Sequence, residues 1–261
     1  RLTYDLESLA SPILGGLLLS QLAFHWLFAG TAVGFLASAV LVSMAALPVL
    51  SKVKGQAPFI NRVTRGSMIY LGTPRLRGML FLYLGVAAAT SIILVNTVVY
   101  VKGRLGLGDN MVVLFFAASG IGSMIVALAL PRLLERINPR SVMMAGCCLL
   151  LISLIGKTLT QGFSSGLGVW FLLGAGASMI QTPSGLLLTR SCDKDDRPAV
   201  FAAHFALTHA CWLFAYPLTG LVGAQLGLST AFFLAAITTA LGLAAALRIW
   251  PASDPSSFAK D

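Results

Sequence analysis

The sequence predicts an all-α protein, a polytopic bundle of transmembrane helices. Two features of its composition carry this prediction. Of the 261 residues, 57% are hydrophobic and only 10% are charged, whereas about 25% charged residues is usual in a soluble domain. The apolar residues also gather in long runs, and about 20 apolar residues are enough for a helix to cross the hydrocarbon core of a bilayer.

Eight apolar runs are candidates for spans. The alternating pattern of membrane β-strands is absent from them. A segment in lipid must satisfy its own backbone hydrogen bonds, so the runs are expected to be helices. We expect spans at about residues 8–24, 26–47, 77–101, 109–130, 141–160, 167–189, 199–225 and 229–250.

The positions of the basic residues test this topology. If the N-terminus is cytoplasmic, all but three of the 18 Lys and Arg residues fall on the inside. The exceptions are Lys102, Arg104 and Lys157. This asymmetry follows the positive-inside rule and accounts for the net charge of +9 without a nucleic-acid partner. We therefore expect a multi-pass protein of the inner (plasma) membrane with both ends cytoplasmic. The inside positions are Arg1, residues 48–77, 131–140, 190–198 and the C-terminal end.

The longest connection between spans divides the chain. Residues 48–76 are predicted to be a basic cytoplasmic linker. Two readings stay open: an interfacial helix, or a solvated linker that attracts anionic lipid. The apolar side of such a helix would contain Phe59, Ile60, Val63 and Ile69.

Two spans precede this linker and six follow it. We expect residues 1–47 to be the last two helices of an N-terminal bundle, part of which lies upstream of Arg1. Residues 77–250 are expected to form a six-helix C-terminal bundle, and residues 251–261 a cytoplasmic tail.

The short connection "PRLLERINPR", residues 131–140, places Glu135 between Arg132 and Arg136. Its carboxylate can pair with an arginine or with the positive N-terminus of a neighbouring helix. Such a contact would act as a latch, made in one conformation and broken in another. The alternative is a basic anchor in which the glutamate is incidental.

At this loop the chain resembles the major facilitator superfamily, whose signature runs G-x-L-a-D-R-x-G-R-R. Glu135 stands at the acidic position, Arg136 at the next basic one and Arg140 at the last. Pro131 and Asn138 replace the two glycines. Because asparagine tolerates a left-handed backbone, we expect the turn to be kept.

The stretch "LASPILGG" near the N-terminus resembles the second half of a fifth-helix motif of that family's exporters, G-x-x-x-G-P-x-x-G-G. The matching residues are Ser11, Pro12, Gly15 and Gly16. Small residues let helices approach closely in lipid. The resemblance implies a seam between two six-helix halves, and the alternative is a lipid-facing kink. It also implies the last eight of twelve helices, around a cavity that opens to each side in turn.

Polar residues within spans are the candidates for substrate contact, because they usually face the interior of a bundle. The fourth span offers serine and glycine residues as further candidates, among them Ser119 and Gly122. Hydrogen bonding between helices without substrate is the alternative for each. The candidates are Asn96, Tyr100, Gln181, His204 and His209.

The two histidines of the seventh span have three readings. His204 shares a helix face with Thr208 and Cys211, whereas His209 points elsewhere. A neutral hydrogen-bonded histidine, protonation-linked gating and metal ligation by His204 with Cys211 all fit. All nine Asp and Glu residues lie at or outside span ends. A proton-driven carrier therefore needs a histidine here or an acid upstream.

We predict a transporter that exports a small molecule in exchange for protons across the lipid bilayer. The export direction rests on the fifth-helix resemblance. No cofactor is predicted, and the HExxH, GxSxG and P-loop patterns of enzymes are missing. Two alternatives remain, a divalent metal-cation exporter and a truncated membrane protein that does not transport.

Overall fold

The computed structural model describes residues 14–15, 17–18, 21, 23–45, 59–160 and 162–252. Every regular element within these residues is a helix. Seven of the described helices are long and apolar enough to cross a membrane. The all-α transmembrane fold is thereby confirmed. The first of the eight predicted spans, residues 8–24, falls largely outside the described residues.

The described helices follow the predicted spans closely. α3 continues into two π-helical segments, Ile92–Asn96 and Val99–Arg104. Such wide turns are rare and often occur at functional sites. The helices are α1 (Phe24–Met44), α2 (Phe59–Gly72), α3 (Pro74–Ser91), α4 (Asp109–Leu134), α5 (Pro139–Leu159), α6 (Phe163–Gln181), α7 (Ser184–Thr189), α8 (Arg197–Gln225) and α9 (Leu228–Ile249).

Helices α3 to α9 pack into one bundle, which we call the core bundle. α3 lies at its centre, against α5, α6, α8 and α9, while α6 packs against α4 and α5. In the apolar stretch of α3 that could cross a membrane, 67% is buried inside the structure. The corresponding value for α8 is only 22%. The apolar stretch of α1, in contrast, is not buried against any of the described residues.

Backbone contact between α4 and α6 depends on glycine. A Cβ atom at Gly174 would lie 1.9 Å from the carbonyl oxygen of Ser119, and one at Gly122 would lie 2.0 Å from that of Phe171. Small residues permit this approach where lipid gives helices no hydrophobic drive to associate. Ser119 and Gly122 therefore lie at the contact between α4 and α6.

Two helix boundaries differ from expectation. Pro131, expected in a loop, lies inside α4, so the connection to α5 contains only residues 135–138. Asn138 does not adopt a left-handed backbone. Its φ is −60°, and its side chain caps α5 by accepting a hydrogen bond from the backbone N–H of Arg140 at 2.9 Å. The turn is kept by capping.

The basic linker contains a helix, α2, whose 14 residues make it shorter than any of the candidate membrane spans. It packs against α8. Gly66 and Tyr70 are buried, whereas Thr64, Met68 and Leu71 are exposed. The linker thus contains a helix, and its position at a membrane interface stays a prediction.

Candidate functional site

α8 exposes a stripe of side chains at four-residue intervals, which we call the open face of α8. Its members are all exposed in the structure: Phe201, Phe205, His209 and Leu213. Residues four apart lie on the same side of a helix. One side of α8 is therefore uncovered over several turns, and a histidine stands near its middle.

Contacts within its own helix fix the orientation of the His209 ring on the open face. Its ring stacks on Phe205, with 3.8 Å between ring centroids, and lies edge-on to Trp212 at 4.8 Å. Nδ1 donates a hydrogen bond to the carbonyl oxygen of Phe205 at 2.7 Å. The indole Nε1 of Trp212 is buried and has no hydrogen-bond partner among the described residues. An imidazole and an unused donor thus lie side by side.

His204 has different surroundings, although it is only five residues away. Its Nδ1 is 2.9 Å from the hydroxyl of Tyr70 on α2, and its ring lies edge-on to Tyr83 of α3 with centroids 5.0 Å apart. The Tyr83 hydroxyl is in turn 3.0 Å from Ser184 Oγ. His204 therefore belongs to a network of hydrogen bonds and ring contacts between α2, α3, α7 and α8.

Tyr70 is completely buried in this network. Burial, and to a lesser extent the neighbouring Tyr83, raises the pKa of Tyr70 above its ordinary value. The phenol stays protonated at physiological pH, since burial penalises the phenolate. The neutral hydroxyl can donate to His204 or accept from it, so either histidine tautomer completes the bond.

The thiol of Cys211, on the side of α8 that carries His204, donates to the carbonyl oxygen of Leu207 in its own helix at 3.5 Å. Within the part of the chain that the structure describes, no three His, Cys, Asp or Glu side chains come close enough to hold a metal ion. The metal-export alternative has no donor set there.

Asn96 lies at the contact between α3 and α8. It is 1% exposed, and its Oδ1 is 2.6 Å from the position that a Cβ atom of Gly223 would occupy. Its Nδ2 has no hydrogen-bond partner among the described residues. A buried donor of this kind costs about 1–3 kcal/mol when unsatisfied. The amide is therefore available to an acceptor that enters the bundle.

Tyr100 belongs to an aromatic cluster at the end of the core bundle opposite α2. It is 1% exposed and stacks on Trp170 with centroids 5.3 Å apart. Its hydroxyl donates to the carbonyl oxygen of Gly162 at 2.9 Å, and the ammonium of Lys157 lies 4.4 Å from its ring centre. These contacts give Tyr100 a packing role in this conformation.

Gln181 is the last residue of α6 and is half-buried. Thr182 and Pro183 follow, and they separate α6 from α7. Proline cannot donate to the helical ladder, which explains the interruption. The helix is thus interrupted where the sequence predicted a bend, and Gln181 lies directly before the interruption.

The loop motif has a different arrangement from the expected latch. Arg132, Glu135 and Arg136 are exposed and line a surface groove. Within the described residues Glu135 forms no ion pair. Arg140 is engaged, because its Nε donates to the carbonyl oxygen of Trp250 at the end of α9, at 3.2 Å. The latch expected of Glu135 is not formed within the described residues, and it stays a prediction.

Three residues of the expected inter-bundle motif, Ser11, Pro12 and Gly16, lie outside the described residues. Gly15 is described, and no atom of another part of the structure comes within 4 Å of the Cβ position there. The seam therefore stays a prediction.

Sequence reasoning did not find the polar contacts made by α2 and by the first turn of α3. Arg65 pairs with Asp196, its Nε lying 2.8 Å from Oδ1 and its Nη2 2.9 Å from Oδ2. Arg75 donates to Ser191 Oγ at 2.7 Å and to the carbonyl oxygen of Arg190. The aspartates of residues 193–196 were the available signal, as they stand in a connection otherwise marked by basic residues.

Comparison with known proteins assigns the family. The sequence model of the Major Facilitator Superfamily matches residues 4–171, which include α1 to α5 and the loop motif. The chain belongs to this superfamily. No curated protein matches it. As a member, the chain is a multi-pass membrane transporter of some substrate rather than an enzyme. The open face of α8 lies beyond the matched residues.

Proposed function

We propose that this transporter exports a small aromatic molecule in exchange for protons, with His209 as the proton-carrying group. The observation that carries the proposal is the exposed imidazole of His209 on the least buried helix of the core bundle. Histidine changes its charge near neutral pH, so a reachable imidazole can take up and release protons during transport.

The aromatic side chains around His209 support an aromatic substrate. Phe205 is exposed beside it, and Trp212 lies edge-on to it. Aromatic rings bind other aromatic rings by stacked or edge-on contact, worth about 0.5–1.5 kcal/mol beyond area burial.

Of the four buried side-chain donors that have no acceptor within the described residues, two favour a substrate that carries hydrogen-bond acceptors. They are Nδ2 of Asn96 on α3 and Nε1 of Trp212 on α8. A substrate oxygen would relieve the cost of either unsatisfied group. Gln181, beside the break in α6, is the third polar group that we assign to substrate contact.

The orientation belongs to the same proposal. We place the α2 end of the core bundle in the cytoplasm, since Arg65, Arg75 and Arg190 gather there. Both ends of the chain would then be cytoplasmic and the membrane the inner (plasma) membrane. Residues 77–250 would form the C-terminal bundle, residues 1–47 would belong to the N-terminal one with Ser11, Pro12, Gly15 and Gly16 at the seam, and residues 251–261 would be a tail.

The test uses inside-out vesicles with an acidic interior. The fluorescent probe is norfloxacin, an aromatic molecule with carbonyl and carboxylate acceptors, and ethidium serves as an aromatic cation without carbonyl acceptors. We expect accumulation of norfloxacin that stops when the pH gradient is collapsed, and weaker accumulation of ethidium. If neither probe accumulates above empty vesicles, the export proposal is wrong.

Variants then assign the proton carrier. His209→Gln should lower gradient-driven accumulation at least tenfold, while His209→Glu, which restores a titratable group, should recover part of it at a shifted pH. His25→Gln is the matched control, because His25 is an exposed histidine of α1. An unchanged rate in His209→Gln would exclude His209 as the carrier.

A further inference from the structure

We infer that the linker helix α2 is a permanently docked part of the core bundle and moves together with α8 during transport. The helix was expected to connect two bundles. Its contacts instead join it to the first two turns of α8 and, through Arg65, to Asp196 just before them.

The closest contact is between backbones. A Cβ atom at Gly66 would lie 2.2 Å from the carbonyl oxygen of Ala199, closer than atoms can pack. Only glycine allows α2 to approach α8 so tightly. A helix resting loosely on the bundle would not require such a position.

Polar contacts fix the two sides of this crossing. Before Gly66, Arg65 forms two short contacts with the carboxylate of Asp196. After it, the buried Tyr70 reaches Nδ1 of His204. The Arg65 side chain is exposed and that of Asp196 is half-buried. Because solvent weakens such a pair, it orients α2 more than it stabilises the fold.

A further contact lies immediately after α2. Arg75, at the start of α3, donates to Ser191 and to the backbone of Arg190. The connection before α8 is thus held by α2 at Asp196 and by α3 at residues 190–191. Because packed interfaces switch between discrete states rather than stretch, the simplest motion keeps this assembly whole.

The consequence concerns which parts of the transporter move together. If α2 moves with α8, α2 does not shift relative to the core bundle during transport. His204 then stays covered by Tyr70 throughout the cycle, and His209 alone of the two is left for contact with protons.

Crosslinking tests the inference. The variant Arg65→Cys/Asp196→Cys is prepared in the whole chain with the four native cysteines replaced, and it is treated with a short bifunctional methanethiosulfonate. We expect complete crosslinking at pH 5.5 and at pH 8.5, and norfloxacin accumulation within twofold of the untreated sample. Arg65→Cys/Asp109→Cys, with its second site at the opposite end of the bundle, should not crosslink.

Two results would overturn it. One is a crosslinked protein that transports at least tenfold more slowly than its untreated form, and the other is crosslinking that stays partial or changes with pH. Crosslinking yield does not require transport. A chain that fails to move norfloxacin but crosslinks completely would contradict the proposed function and leave α2 docked.

A second pair of variants tests the close approach itself. Leucine at Gly66 must displace the Ala199 backbone, whereas the Cβ position of Gly72 has no atom within 4 Å. In the double-cysteine background, Gly66→Leu should lower the crosslinking yield at least fivefold and Gly72→Leu should not. Equal yields from the two variants would contradict the docking.

Discussion

The two ends of the core bundle are held together by different chemistry. At the α2 end, hydrogen bonds and an ion pair join residues far apart in the chain, such as Tyr70 with His204 and Arg65 with Asp196. At the opposite end, rings pack together around Trp170, which is fully buried. Polar contacts set geometry and can exchange with water, whereas aromatic burial contributes more free energy. The comparison suggests that one end orients and the other stabilises.

The largest expected effect lies at the aromatic end. Trp170→Ala removes a buried ring and the hydrogen bond from its Nε1 to Thr97 Oγ1 at 2.7 Å. We expect a loss of about 3–5 kcal/mol in the free energy of unfolding. Thermal melting followed by size-exclusion chromatography in detergent measures it. Trp26→Ala on the exposed α1 is the control and should melt as the parent does. If both variants melt at the same temperature, the aromatic end does not stabilise the bundle as proposed.

A matched pair of tyrosines gives a smaller effect and a sharper comparison. Tyr70→Phe and Tyr100→Phe each remove one hydroxyl whose hydrogen bond is 2.9 Å long. Each should lower stability by about 1 kcal/mol. Only Tyr70→Phe should also reduce crosslinking of α2 to α8 through positions 65 and 196. If Tyr100→Phe reduces that crosslinking equally, the two ends are not independent.

The smallest expected effect is at the ion pair. The Arg65 side chain is 66% exposed, and exposed pairs contribute about 0–1 kcal/mol. Asp196→Asn should therefore shift the melting temperature by less than Tyr70→Phe does. A loss above about 2 kcal/mol would mean that this pair stabilises the fold rather than orienting α2.

The fold could be predicted because its signals are local. Long apolar runs and the positions of the basic residues require only the chain order, and the described helices follow them. The three basic residues outside the predicted inside positions have partners: Lys102 pairs with Asp109 at 2.5 Å, Arg104 contacts Ser229, and Lys157 lies over Tyr100. These partners explain how the exceptions are tolerated.

The site could be predicted only in part, because it depends on which helix faces which. The pattern singled out His204 and His209 but could not show that one is covered by Tyr70 while the other is exposed. Tyr100 looked polar in the sequence, yet it packs among aromatic rings. The docking of α2 depends on Gly66 meeting Ala199, a contact between residues 133 positions apart that no local pattern carries.

The central claim is that the open face of α8 lines the transport path. The most direct measurement is the labelling of His209→Cys, in a background without native cysteines, by a membrane-impermeant charged thiol reagent. We predict that it reacts in vesicles of either orientation and that norfloxacin slows the reaction. Phe35→Cys on α1, which is 73% exposed, serves as the comparison site. A His209→Cys thiol that reacts only with membrane-permeant reagents, with no protection by norfloxacin, would show that this face contacts lipid and would contradict the account.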